Sequence, residues 1–309
     1  MKVYYEIFGL ILSSDWVLPR LKEVAGPRSV DVEIKRATIN TAGISNATVT
    51  YPSLQIAPDS VWLSVDQVGR FLVTKGELIE VDAEVGADMQ SVSLYVLGSC
   101  LAAIIHQRKQ FILHGNAIDV GGQALVFVGA AGIGKSTLAA CFYKKGYKVL
   151  ADDLAVINDA NKVLPSYPQI KLWSDAIKHL ELESIPGTKR IRLHVDKFEI
   201  PIADQFQTEP VRVHTIYLLR NGNVRNTLLE EIRGVEKIST LQKQVFRRKY
   251  VQGMRLTNTT STHCVRLSLA TRIVRITRPE GSFEPDRLMQ LALEDYWSNG
   301  GALLLPTLT

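Results

Sequence analysis

A chain of 309 residues that is 46% apolar and 22% charged has the composition of an ordinary globular protein, long enough for one large domain or two moderate ones. Its net charge of +5 comes from 36 Lys and Arg scattered among 31 Asp and Glu rather than gathered into a stripe with interleaved aromatics, which argues against a nucleic-acid partner. Cys100, Cys141 and Cys264 are odd in number and far apart, so neither a disulfide framework nor a zinc site is indicated.

The first residues, Met1-Lys2-Val3-Tyr4-Tyr5-Glu6, read as an aromatic strand with an early acid and not as a secretory signal. With the cysteine usage this points to the cytoplasm. Residues 1–88 read as a β-rich domain, with strands over Val3 to Leu12, Val30 to Ile39 and Trp62 to Val65. A hairpin is expected to pair Arg70 to Thr74 with Glu77 to Val81 across Lys75-Gly76. No catalytic cluster appears there, so packing, homo-oligomer formation or substrate guidance is its expected work. The apolar run from Leu94 to Ile105 is about two-thirds of a bilayer-spanning length and is followed by His106 and charges. It is expected as a buried helix connecting the two parts over residues 89–108, with no membrane span.

Residues 109–309 then read as an α/β core and C-terminal region. Phe111 to Val120 is expected as a strand that turns at Gly121-Gly122 into a second strand, Ala124 to Val128. Next comes Gly129-Ala130-Ala131-Gly132-Ile133-Gly134-Lys135-Ser136, which fits the phosphate-loop (Walker A) pattern G-x-x-x-x-G-K-[ST] at every constrained position. A helix from Thr137 to Lys145 follows, stopped at Gly146. Strand before and helix after are what the motif requires: backbone N–H groups at a helix N-terminus surround the phosphates, Lys135 adds a mobile charge and Ser136 offers a hydroxyl to Mg²⁺.

The strand Tyr147 to Ala151 ends in Asp152-Asp153. A parallel neighbour of the loop strand would deliver both carboxylates beside the phosphates, and where the backbone bends away the two can aim at different points. Phosphoryl transfer needs one carboxylate on the metal side and one group for the nucleophile. Further on, Val213 to Leu219 and Arg272 to Ile276 read as strands, Ser239 to Val251 as a charged helix, Thr257 to Thr262 as a polar, mobile loop, and Pro285 to Trp297 as a closing helix.

Three landmarks make residues 109–160 resemble the HPr kinase/phosphorylase family: His114-Gly115 ahead of the loop, its Gly-Ile-Gly-Lys-Ser ending, and Ala151-Asp152-Asp153 after Lys145-Gly146-Tyr147. That resemblance implies a P-loop kinase core of the HPr kinase and phosphoenolpyruvate carboxykinase type, using ATP and Mg²⁺. It implies that Lys135 and Ser136, with Thr137 beside them, hold nucleotide phosphates and Mg²⁺, that Asp153 accepts the substrate's hydroxyl proton, and that His114 lies near the transferred phosphate. Asp152 is then the metal-side acid, the two acids being exchangeable at this stage. The family's Glu-Ile-Arg-Gly segment follows the acid pair more closely than Glu231-Ile232-Arg233-Gly234 does, and Pro165 to Trp173 occupies the corresponding stretch. The N-terminal region and Lys171-Leu172-Trp173 resemble the shorter kinases of peptide-modification clusters, including lasso-peptide kinases, which implies a peptide serine as acceptor. Lys171, Arg192, Lys197, Arg247 and Arg248 are candidate substrate-side cations.

The expected function is transfer of the ATP γ-phosphoryl group to a Ser or Thr hydroxyl of a protein or peptide. A nucleotide-gated switch that hydrolyses ATP without an acceptor, and a small-molecule kinase, are the alternatives.

Overall fold

The computed structural model describes residues 2–26, 29–192, 195–281 and 284–301, so that Met1 and residues 302–309 of the segments read as domains lie outside the described residues. The fold is mixed α/β, in two compact units: Met1–Ile112 with Phe246–Thr262, and Leu113–Val245 with His263–Thr309. These are not the boundaries expected at 88 and 108. The helical stretch is a core element of the first unit, not a connector, with Val92, Val96, Leu101 and Ile104 fully buried. It starts at the cap Asp88, whose carboxylate accepts from the N–H groups of Gln90 and Ser91, and so reaches 19 residues, Met89–Gln107, with a π-helical turn at Val96–Cys100. That is longer than its apolar run, and long and apolar enough to cross a membrane by length and composition, yet 72% of its most apolar window is buried. Phe246–Thr262 joins the same unit through contacts without a local signal: His106 Nε2 lies 2.8 Å from Phe246 O, and Arg247 Nη2 donates to Ser99 Oγ at 2.7 Å.

Among the described residues the first unit forms an eight-stranded sheet. The expected strand from Val3 to Leu12 is two, Val3–Ile7 and Leu10–Ser14, folded back at Phe8-Gly9, where both residues have positive φ. The expected hairpin closes at Thr74↔Leu78, joining Gly69–Thr74 to Leu78–Ala83.

The second unit carries the loop. Phe111–Val120 and Gln123–Gly129 pair antiparallel across Gly121-Gly122, whose φ values of 61° and 80° suit a two-residue turn that follows strand twist. Val128 faces Gly115, and a Cβ there would stand 2.5 Å from Phe127 O, so the hairpin closes only around glycine. Gln123–Gly129 also pairs in parallel with Val211–Gly222, which pairs in parallel with Arg272–Pro279. The helices Lys135–Lys144 and Pro285–Ser298 supply Leu138, Phe142, Leu288 and Tyr296 to a core with Leu125, Phe127, Tyr217 and Val274. Phe127 and Tyr217 stack at 5.2 Å, and Tyr296 Oη donates to Val120 O at 2.8 Å.

The acid pair is placed differently from the expectation. Lys148–Ala151 pairs antiparallel with Phe111–Val120, so it runs in the sense of the loop strand but with Phe111–Val120 between them. The strand does end at the acids as expected, and a second strand, Leu154–Ile157, follows Asp152-Asp153 beside the same neighbour. Asp153 has φ 77°, the left-handed region that aspartate tolerates better than most residues, and its carbonyl accepts from the Gly115 N–H at 3.3 Å. The pair therefore occupies a bend between two consecutive strands, where the irregular backbone re-aims the side chains.

Two later expectations also change. The helix expected from Ser239 to Val251 is broken into Val235–Gln244 and Arg248–Gly253, where the chain passes from one unit to the other. The polar run Thr257 to Thr262 is the first part of the helix Thr257–Ala270, whose buried Cys264 and Leu267 override its weak helix propensity.

Replacing Gly115 by Ala forces its Cβ against the backbone of Phe127. Destabilisation by about 1–3 kcal/mol is expected, read as a lower midpoint in thermal or denaturant unfolding.

Candidate active site

Three segments meet at one sheet edge of the second unit: the strand Phe111–Val120 at His114, the end of Gln123–Gly129 with the glycine-rich loop, and the bend with the acid pair. A cavity of about 530 Å³ opens there, lined by His114, the loop from Ala131 to Thr137 except Ile133, Asp153, Lys171, Lys197 and Arg278, among others. Its volume suits a small-molecule site. Gly129 ends the strand with φ 148°, and a Cβ would meet Leu219 O at 2.6 Å, which fixes glycine where the loop leaves the sheet. Ala130 is exposed and Ile133 is buried, neither lining the cavity. Lys135 is buried, its Nζ donating to the Gly129 and Ala130 carbonyls at 2.9 Å each. Burial, more than any neighbour, lowers its pKa.

The two acids separate in role by what they touch. Asp152 is 2% exposed and lies behind the cavity wall; its Oδ1 accepts from Ser136 Oγ at 2.9 Å and its Oδ2 from the Lys171 N–H at 2.8 Å. Burial, then the Asp153 charge, push its carboxyl up from the ordinary range. Asp153 faces the cavity, with Oδ2 3.7 Å from Lys171 Nζ and Oδ1 3.6 Å from His114 Nδ1. Burial acts to raise Asp153 as well, but Lys171, His114, Lys197 and Lys135 outweigh it and hold the carboxyl below its usual range. His114 is lowered, first by burial and then by the Lys135 charge, so its imidazole is neutral near pH 7.

Ser136 Oγ and the Asp152 carboxylate form an all-oxygen pair, the chemistry that Mg²⁺ takes, and phosphate oxygens and water commonly complete such a shell. Among the described residues no group of three or more His, Cys, Asp or Glu is gathered to hold a metal without them. The residues thus fit a metal that arrives with a polyphosphate.

Of the cations singled out in the sequence, Lys171 and Lys197 line the cavity. They are cross-strand neighbours of Glu199 and Trp173 in the small sheet of Gln169–Trp173, Lys197–Pro201 and Lys189–Arg190. Arg192 is not part of the lining, and Arg247 and Arg248 belong to the other unit. Glu231-Ile232-Arg233-Gly234 supplies no lining residue either; Glu231 pairs with Arg233 at 3.5 Å. Arg278, Asp175 and His179 were not legible as site residues, since each comes from a segment with no motif, and Arg278 from a strand about 140 residues after the loop.

Lys171 is 6% exposed, and although burial acts to lower its pKa, Tyr167, Asp153 and Asp152 raise it, so the Asp153–Lys171 pair is charged at neutral pH. A depressed Asp153 contributes stability above the unfolded carboxylate pKa of about 3.9, and that contribution is lost as pH falls through the folded value. In Lys171→Met the Asp153 carboxyl is expected to titrate at higher pH, narrowing that window, which an NMR pH titration reads directly; an unmoved carboxyl would remove the ion-pair account.

No family model matches the sequence. Among curated proteins the chain is similar to the HPr kinase/phosphorylase of Prosthecochloris aestuarii, 28% identical over 109 residues, 32% of this chain and 30% of that protein. The HPr kinase/phosphorylase of Chloroherpeton thalassium is 27% identical over 171 residues, 52% of this chain and 47% of that protein. That of Caldanaerobacter subterraneus subsp. tengcongensis is 38% identical over 63 residues, 20% and 21% of the two chains. The chain thus spans less than half the length of these relatives. Among solved structures, the Hpr(Ser) kinase/phosphatase from Coxiella burnetii aligns with a TM-score of 0.34 and 15% identity, over 62% of this chain and 99% of that one. By its sequence relatives the chain is HPr kinase-like.

Proposed function

We propose that the protein is an ATP-dependent kinase that transfers the γ-phosphoryl group to a Ser or Thr hydroxyl of a protein or peptide. One observation carries this reading: the loop's Lys135 and Ser136, the buried Asp152 and the cavity-facing Asp153 with Lys171 and His114 converge at one sheet edge. A loop alone serves hydrolysis or switching equally well; a second carboxylate, ionised and facing the cavity, is what transfer to a hydroxyl adds.

Mg²⁺ carried with ATP would sit against Ser136 and Asp152 and neutralise phosphate charge. Loop amides and the Lys135 ammonium hold the triphosphate, once Nζ leaves the Gly129 and Ala130 carbonyls. The acceptor hydroxyl, hydrogen-bonded to Asp153, attacks the γ-phosphorus; the bond from that phosphorus to the bridging oxygen breaks, ADP leaves, and the hydroxyl proton passes to Asp153. Lys171 keeps Asp153 ionised and, with Lys197, sets positive charge beside the transferred group. His114 lines the cavity on the other side of Asp153.

The relatives' name, HPr kinase/phosphorylase, supports a protein acceptor. Trp173, 53% exposed at the cavity's rim with Lys197 Nζ 6.0 Å from its ring centroid, supports a peptide segment lying across that rim. All three cysteines are buried free thiols, which supports a cytoplasmic protein.

Incubation with γ-labelled ATP·Mg²⁺, HPr and a panel of seryl peptides, followed by mass spectrometry, is expected to find one added phosphate on a hydroxyl. Label appearing only as free phosphate would establish the switch, and label in a low-mass product a small-molecule kinase. Lys135→Ala is expected to abolish transfer and weaken nucleotide binding. Asp153→Asn should bind nucleotide normally while transfer falls by about 10²–10⁴-fold, and full activity in that variant would remove Asp153 as the proton acceptor.

A further inference from the structure

Arg278 belongs to no motif, yet the strand Arg272–Pro279 brings it to the loop's edge of the sheet, one strand beyond Val211–Gly222. The residue is 8% exposed and lines the cavity. Its Nε donates to Oδ1 of Asn221, its register partner in the parallel ladder, at 2.8 Å. Its Nη2 donates to the carbonyl of Ile133, inside the phosphate loop, at 3.0 Å. One planar guanidinium thus spans a sheet strand and a loop carbonyl, a geometry that a lysine ammonium on a flexible stem does not reproduce.

The bond to Ile133 also constrains the next residue, Gly134. The peptide joining Ile133 to Gly134 is trans, so its C=O and N–H point to opposite sides of the backbone. Holding the carbonyl on Arg278 therefore fixes the direction of the Gly134 N–H, one of the amides that open the helix Lys135–Lys144. Such amides hold an anion only when they converge, and a glycine-rich loop reaches many other conformations.

We infer that Arg278 is a positioning residue for the nucleotide: tied to Asn221, it locks the Ile133–Gly134 peptide in its anion-binding orientation before any phosphate arrives. This rests on the nucleotide-binding half of the function proposed above and not on transfer.

The test is the Kd for ATP·Mg²⁺ by calorimetry, with melting temperatures measured in parallel. Arg278→Met is expected to raise Kd about 10-fold or more, the effect of one hydrogen bond to a charged group. Arg278→Lys, which keeps the charge and loses the span, is expected to recover little of it. Asn221→Ala, which leaves the cavity lining intact, should raise Kd to a smaller degree, and the Asn221→Ala/Arg278→Met double variant should bind no more weakly than Arg278→Met alone. Full recovery in Arg278→Lys with no effect of Asn221→Ala would make Arg278 a bare phosphate-facing charge and overturn the inference. An unchanged Kd in a folded Arg278→Met with a lower melting temperature would reduce Arg278 to a structural residue and overturn it equally. Should Arg278→Met not fold, Asn221→Ala decides: an unchanged Kd overturns the inference. A wild-type protein that binds ATP·Mg²⁺ but phosphorylates nothing refutes transfer and leaves the Arg278 result standing, whereas one that does not bind ATP·Mg²⁺ refutes both.

Discussion

The Asp152 carboxylate is the point at which the second unit's separate pieces are tied together. One oxygen takes the Ser136 hydroxyl at the head of the loop helix, the other takes the backbone N–H of Lys171 in the small sheet, and the residue itself sits in the bend between Lys148–Ala151 and Leu154–Ile157. Three separate elements, a helix, a bend and a sheet strand, are registered against one buried group. A buried carboxylate is costly unless its oxygens are satisfied, and here satisfying them dictates where the helix start and the small sheet must lie. Since Lys171 is placed through its backbone, its ammonium is delivered to Asp153 as a consequence.

From that arrangement comes an electrostatic division of labour between adjacent residues. Asp152 faces inward and is pushed up by burial; Asp153 faces outward and is held down by four cationic or polar neighbours. Neighbouring aspartates on a straight strand would point to opposite faces of the sheet. The positive φ of Asp153 breaks that alternation and lets both serve one site from the same stretch of backbone.

Much of this was legible in the sequence because it is local. The loop, its flanking strand and helix, the Gly121-Gly122 hairpin and the presence of an acid pair all follow from spacing and turn chemistry within a few tens of residues. What was not legible depends on pairing between distant strands. That Phe111–Val120 lies between the loop strand and the acid-bearing strand, and that Phe246–Thr262 returns to the first unit, are choices no periodicity encodes. Lys171 and Lys197 could be named as candidates but not ranked above Arg192 or Arg247, since each is only a charge in a charged segment until the small sheet places it. Arg278 gave no signal, its strand reading as one more apolar stretch with basic residues.

Lys135 rests with its ammonium on two carbonyls of its own loop. A cation so satisfied is not waiting in open water, and any anion must displace contacts already made. A small singly charged ion offers too little in exchange, while a chain of linked phosphates reaches the ammonium and the loop amides together and offsets the loss. Under the function proposed above, the resting lysine would discriminate against the common small anions of a cell before the base or sugar of a nucleotide is met.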